Sequence, residues 1–250
     1  MITLYQFPGV WGLTNASPFC LKVETYLRLA EIPYEIKAIM DPRNAPKGKL
    51  PFIKIDNKTI ADSELIIDFL KAKFGDSLDK NLSREQKALS VLIDDSFTEH
   101  LYWIIVYSRW QYEPNWLEVK KTFFAKLSPF AKLFIPNLVR RKTIKTLYAQ
   151  GIGRHSYDEI LEMGYKTLDA IAEILGEKKF FFGDDPSTID ATAFAFLANI
   201  VWTPYDDALK THVNKFKNIL VYCDRMWSTF YPELAKPFIP GDGEGIEKKC

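Results

Sequence analysis

The stretch Pro46–Leu70, PKGKLPFIKIDNKTIADSELIIDFL, decides the fold. Phe52 to Ile55 reads as a strand, Asp56-Asn57-Lys58 as a turn, and Thr59-Ile60 as the returning strand of a hairpin. From Ser63 to Phe74 the apolar residues Ile66, Phe69 and Leu70 fall on one helical face, and Gly75 follows the end. Upstream, Ile2–Phe7 is a short apolar strand closed by Pro8-Gly9. Pro18–Ala30 repeats apolar residues at Cys20, Val23, Leu27 and Ala30, a helical spacing that Pro33 ends. Tyr34–Ile39 alternates as a second strand. The order is βαβ followed by ββα.

That order is the one found in thioredoxin-like half domains, and it occupies about residues 1–75. Downstream, a polar linker runs to about residue 82, after which strand signals nearly vanish. Ser83-Arg84-Glu85-Gln86 is a capping box that opens a long helix, expected to run unbroken to Trp110. Residues 115–150 read as irregular helix interrupted at Pro129 and Pro136. Ser156–Glu159 and Ser187–Asp190 are two further caps, each followed by an apolar helix, and a last helix covers Lys217–Phe230. The expected architecture is α+β: a thioredoxin-like domain at 1–75 packed on an all-α domain at 83–250.

Composition narrows the function classes. The chain has 250 residues, 47% hydrophobic and 26% charged, enough to bury a sizeable core and to exclude intrinsic disorder. Thirty-three Lys and Arg against 32 Asp and Glu leave a net charge of +1, with no global basic field for nucleic acid. Three scattered cysteines, Cys20, Cys223 and Cys250, make no disulfide framework and point to a reducing, cytoplasmic setting. Three distant histidines form no metal motif, so no metal is expected. The longest apolar runs, Leu101–Tyr107 and Ala193–Trp202, are too short to span a bilayer, and the C-terminal GDGEGIEKKC is polar.

Three places can carry chemistry. Ser17-Pro18-Phe19-Cys20 sits between the first strand and the first helix, where Ser17 is a natural N-cap and Pro18 suits the first helical position. A cap is one reading. The other uses the unpaired N–H groups and positive dipole end of the helix, which favour a nearby thiolate. The Ser17 hydroxyl can donate a hydrogen bond to that sulfur and lower its pKa. Leu50-Pro51 reads either as an ordinary strand start or as a cis peptide that offers the Leu50 backbone to an extended ligand. Asp62-Ser63 reads as a helix start with Ser63 as cap, or as a head-group site in which Ser63 meets a carboxylate and Asp62 an ammonium. Lys47 and Lys49 are near enough to meet a second carboxylate. A thiol peptide with an amino-acid head and a carboxylate tail is glutathione.

Taken together, these stretches resemble the glutathione S-transferase superfamily. Pro46–Leu70 is similar to its cis-proline and acid-serine region, and Phe180–Leu197, FFFGDDPSTIDATAFAFL, to its buried capping-box helix. Within it, Ser17–Glu35, Gln150–Ile160 and Asn218–Leu234 resemble the failed-axon-connections and metaxin-like branch. The resemblance implies a glutathione site at Lys49, Leu50, Pro51, Asp62 and Ser63, with Ser17 as the catalytic hydroxyl. It implies transfer of the glutathione thiolate to a small apolar electrophile, in a pocket lined by Trp11, Trp103 and Tyr107. Such proteins often form homodimers. The branch also contains non-catalytic scaffold proteins, so a binding role on the same fold is the alternative.

Other readings stay open at this stage. Ser17 stands where thioredoxin-like relatives place an attacking cysteine, which argues against dithiol exchange. Cys20, one turn on, is a small buried residue or a redox partner. Tyr5 is a rival hydroxyl at the end of the first strand, and Asn15 shares the loop of Trp11 and Ser17. Gly151–His155 reads as a turn with surface charges or as an anion site before the Ser156 cap.

Overall fold

The computed structural model describes residues 1–235 and Pro237. Cys250 and the polar C-terminal stretch lie outside the described residues.

Strands β1 (Ile2–Gln6), β2 (Tyr34–Ala38), β3 (Phe52–Ile55) and β4 (Lys58–Ala61) form one mixed sheet in the order β2-β1-β3-β4. β1 and β2 are parallel, paired from Ile2↔Tyr34 to Gln6↔Ala38, because helix α1 (Pro18–Leu29) carries the chain across between them. β3 returns antiparallel to β1 with Leu4 opposite Ile53. The hairpin turn is two residues, Asp56-Asn57, so Lys58 belongs to β4 rather than to the turn. Ile2, Leu4 and Gln6 point inward on β1, and helix α2 (Ser63–Phe74) follows β4.

The second part is helical. Helices α3 (Arg84–Asp95) and α4 (Tyr102–Trp110) are joined by a π turn at Ser96–Leu101. The remaining helices are α5 (Glu113–Phe123), α6 (Pro129–Gln150), α7 (Tyr157–Leu175), α8 (Thr188–Val201), α9 (Ala208–Val213) and α10 (Lys217–Phe230). All three expected capping boxes form, at Ser83/Gln86, Ser156/Glu159 and Ser187/Asp190.

Two expectations are corrected here. The helix from residue 84 is not a regular α-helix to 110; the π turn inserts one extra residue and rotates every side chain after it. Pro136 does not interrupt the chain, because α6 passes through it. A proline forfeits its own N–H bond to the carbonyl four residues back, here at Lys132, whose position is solvent-exposed.

α1 is the element on which the two parts meet. Cys20, Leu21, Val23, Tyr26 and Leu27 are all fully buried, and so are the polar Lys22, Glu24 and Thr25. α8 packs beside it, and Phe19 meets Phe196 edge-on at 5.5 Å. Polar groups lock the same seam. Lys22 Nζ lies 2.9 Å from Glu64 on α2 and 2.8 Å from Asp94 on α3. Thr25 shares a 2.7 Å hydrogen bond with Tyr231, and Arg28 donates to the Phe230 carbonyl at 2.8 Å. Buried polar side chains of this kind require such partners, so the helical part completes the folding of the sheet part.

Candidate functional site

The loop between β1 and α1 ends in Asn15-Ala16-Ser17. Asn15 is buried and holds the loop from within: its amide donates to the Phe7 carbonyl at 2.6 Å and its Oδ1 accepts the Ser17 N–H at 2.9 Å. Ser17 takes extended φ/ψ as the N-cap of α1, and its hydroxyl accepts the Cys20 N–H at 3.5 Å. Ser17 is half-buried. An oxygen that accepts from the backbone keeps its own proton to donate outward, toward whatever binds at the helix end.

The second part of the chain fixes this loop. Arg109 on α4 is 4% exposed. It donates to the Ala16 carbonyl at 2.6 Å, to the Asn199 backbone and side-chain oxygens at 2.8 Å each, and to the Tyr205 hydroxyl at 3.2 Å. Asn199 on α8 in turn donates to the Asn15 carbonyl at 3.3 Å. Among the described residues no carboxylate pairs with Arg109, so an uncompensated cation is anchored one residue from Ser17. Together with the positive end of α1, it raises the local potential in the sense that favours a thiolate.

Three sequence-separated stretches converge beside Ser17. Cys20, Leu50, Phe52 and Ala61 share one apolar cluster with Ala45. This contact draws the first turn of α1, the Leu50–Pro51 bond and the β4–α2 junction to one place. The Leu50–Pro51 peptide is cis, and both residues are buried. Asp62 adopts φ 94° and ψ 131°, a backbone conformation that costs a non-glycine residue about 1–3 kcal/mol. Asp62, not Ser63, caps α2: its carboxylate accepts the Glu64 N–H at 3.1 Å. Ser63 instead occupies the first helical position, buried, with no hydrogen-bond partner for its hydroxyl among the described residues. Asp62 and Lys49 are exposed, and Lys49 makes no ion pair among the described residues.

The other expected residues are placed less simply. Tyr5 stacks on Phe52 at 4.2 Å, with Lys37 and Lys54 each 5.4 Å from its ring. Cys20 is fully buried, and burial pushes its thiol up to about 12, so it is a packing residue and not a nucleophile. The Gly151–His155 segment is a turn: Gly153 lies 2.8 Å (from a notional Cβ) off the Leu147 and Tyr148 backbone, and Arg154 donates to the Tyr148 carbonyl.

Trp11, Trp103 and Tyr107 are not gathered into one aromatic cluster. Trp11 donates to Thr122 at 3.3 Å and packs on Phe123 and Tyr205, with Arg109 5.2 Å from its ring. Trp103 packs on Tyr102, whereas Tyr107 is buried against Tyr157. The π turn sets which face of α4 meets α1. With one residue inserted, eight residues make two turns, so Asp94, Tyr102 and Arg109 come onto the face that meets α1. Tyr102 packs on Phe19 at 4.8 Å, two residues from Ser17. Sequence reasoning therefore missed Tyr102, Arg109 and Asn199. Burial raises the pKa of the Tyr102 phenol, and pushes that of Tyr205 up to about 12 against the opposing pull of Arg109, so both remain protonated near neutral pH.

Comparison with known proteins fits this geometry. Residues 18–116 match the model of the glutathione S-transferase N-terminal domain and residues 164–226 that of the C-terminal domain. An isoprene-epoxide–glutathione S-transferase of Rhodococcus sp. strain AD45 is 33% identical over 235 residues, covering 90% of this chain and 98% of that one. The chain belongs to the glutathione S-transferase family. Failed axon connections of Drosophila melanogaster is 36% identical across 93% of the chain, and human Metaxin-1 28% identical across 92%. The chain spans 59% and 51% of those two proteins. Among solved structures, a Ceriporiopsis subvermispora glutathione S-transferase in complex with glutathione superposes with a TM-score of 0.61 at 19% identity, covering 94% of this chain and 98% of that one. The beta-etherase LigF of Sphingobium sp. strain SYK-6 gives 0.63 at 17%, covering 91% and 95%. At these identities the family fold is what is shared.

Proposed function

We propose that the protein binds glutathione and transfers its thiolate to a small apolar electrophile. The observation that carries this reading is the convergence of the Ser17 cap, the cis Leu50–Pro51 bond and the Asp62-Ser63 junction around one apolar cluster. In this reading the extended peptide pairs with the Leu50 backbone at the head of β3. Its α-carboxylate takes the unpartnered Ser63 hydroxyl and the N-terminal N–H groups of α2, and its ammonium takes Asp62. Lys49 meets the second carboxylate. The sulfur then lies at the opening turn of α1, where the Ser17 hydroxyl, the helix end and the Arg109 charge hold it as thiolate.

The relative that acts on isoprene epoxide makes an epoxide the first electrophile class to test. The sulfur lone pair forms a C–S bond as the ring C–O bond breaks, and the released alkoxide takes a proton from water. In this reading Trp11, whose ring lies beside Arg109, and Tyr102, packed on Phe19, bound the electrophile pocket. Trp103 and Tyr107 then contribute behind them, by packing against Tyr102 and Tyr157. Holding both reactants in one cleft supplies part of the rate. The buried free thiols of Cys20 and Cys223 suit a reducing compartment such as the cytoplasm.

The test has two arms. Titration calorimetry should detect glutathione binding at millimolar concentration or tighter, and a panel of small epoxides should be consumed with glutathione and protein present. Absence of binding contradicts the proposal. Binding without consumption of any electrophile supports the second reading, a scaffold or carrier, favoured by the 26–36% identity to failed axon connections and the metaxins.

A further inference from the structure

Helix α6 presents a face that the glutathione reading does not use. Its inward side is anchored by the buried Pro136 and Leu147, and by Arg140, which donates to the Trp110 and Gln111 carbonyls at 2.8 and 3.0 Å and pairs with Glu113. Its outward side begins with Phe130, Leu133, Phe134 and Leu138, which are 76%, 64%, 61% and 68% exposed. Phe130 and Phe134, one turn apart, touch ring to ring at 5.5 Å. Four large apolar side chains this exposed on one turn-spaced row protrude from the molecule rather than line a groove, and such clusters mark interaction sites. The next turns of the same outward side carry Arg141, Lys142 and Lys145, all exposed and without ion pairs among the described residues.

The charge around this helix is segregated. Between Glu118 and Asp158 the chain has no acidic residue and nine Lys and Arg. The other 24 Lys and Arg share the chain with all 32 Asp and Glu. A near-neutral protein therefore places a strongly cationic segment at the helix whose apolar residues are exposed.

We propose that the outward face of α6 docks on an anionic lipid surface. Phe130, Leu133, Phe134 and Leu138 enter the boundary between head groups and acyl chains, while Arg141, Lys142 and Lys145 meet lipid phosphates. Interfacial helices combine these two features, apolar insertion and Lys/Arg attraction to acidic lipid. A second copy of the chain fits the face poorly, since a two-fold contact sets the same patch on itself and would oppose Lys and Arg to Lys and Arg. None of these residues belongs to the glutathione site.

The experiment is flotation of the full chain with vesicles of phosphatidylcholine alone and of phosphatidylcholine with phosphatidylserine. The wild type should float with the phosphatidylserine vesicles, stay in solution with the neutral ones, and release at high salt. The double substitution Phe130→Glu with Phe134→Glu should lose at least tenfold in partition, and Arg141→Glu with Lys145→Glu should lose a similar factor. Thermal melts confirm that both variants fold. The proposal is overturned if the wild type ignores anionic vesicles, or if it binds them and the Phe130/Phe134 variant binds equally well. It is also overturned if the wild type is a dimer that this variant dissociates while vesicles leave it unbound.

Discussion

Replacing Arg109 by Met keeps the length and most of the apolar volume of the side chain but removes the guanidinium. Four hydrogen bonds vanish, to the Ala16 carbonyl, the two Asn199 oxygens and the Tyr205 hydroxyl. Tyr205 can rotate its proton to another partner. Ala16 and Asn199 cannot compensate so easily: they are buried, and the Asn199 amide nitrogen is already committed to Ala195 and Asn15. An unpaired buried acceptor costs about 1–3 kcal/mol. Three stranded acceptors, the Ala16 and Asn199 backbone carbonyls and the Asn199 Oδ1, therefore cost about 3–9 kcal/mol, offset by the desolvation of a buried cation that is no longer needed. The expected loss is about 3 kcal/mol, a large part of a typical domain's stability. Equilibrium urea unfolding followed by tryptophan fluorescence, with the slope held common to both proteins, measures it. Arg109→Lys should fall between, because an ammonium reaches one acceptor group but not the forked set. A loss below about 1 kcal/mol for the Met variant would refute the claim that this guanidinium holds the Ser17 loop.

Two further outcomes follow from the same geometry. Asp62→Gly relieves a positive-φ strain of about 1–3 kcal/mol and gives up a cap that glycine replaces at a cost of a few tenths, so thermal melts should show stabilisation. The same change should weaken glutathione binding at least tenfold, and a variant that is less stable yet binds normally contradicts the assignment of Asp62. Burial pushes the pKa of Asp190 up to about 6, against the hydrogen bonds it accepts from Ser187 and Phe181. Between about pH 6 and pH 4 the folded chain holds a proton that the unfolded chain has released, so this group's contribution rises as pH falls through that window. Asp190→Asn cannot titrate. The stability gap between wild type and variant should therefore widen by about 1 kcal/mol from pH 7 to pH 5 in urea melts, and a gap that narrows would be contrary.

Local chemistry made the sheet half legible in the sequence. Proline and glycine punctuated Pro8-Gly9, Pro33 and Gly75, and the caps at Ser83, Ser156 and Ser187 announced their helices because each needs only residues within four positions. What the sequence concealed depends on distant partners or on a change of helical phase. No residue type in Ser96–Leu101 demands a π turn, although Ser96 and Thr98 bond back to the Ile93 and Asp94 carbonyls there. Trp103 and Tyr107 stood out as aromatics at helical spacing within 102–110, whereas which face of that helix meets α1 depends on the π turn before it, and that face carries Tyr102 and Arg109. Arg109 reads as a surface charge beside Trp110 until the Ala16 and Asn199 oxygens, 93 and 90 residues away, are placed against it. Asp62 took the cap from Ser63 because its left-handed backbone turns the carboxylate onto the Glu64 N–H.

The central claim is that the Ser17 hydroxyl stabilises a bound thiolate, and the pKa of glutathione's sulfur on the protein tests it most directly. Ultraviolet thiolate absorbance of the complex, titrated with pH for wild type and Ser17→Ala, gives that number. The wild type should ionise the thiol below its ordinary value of about 8.5, and the alanine variant should bind the peptide yet return the value toward it, with turnover falling about a hundredfold. An identical titration curve for the two proteins would contradict the account.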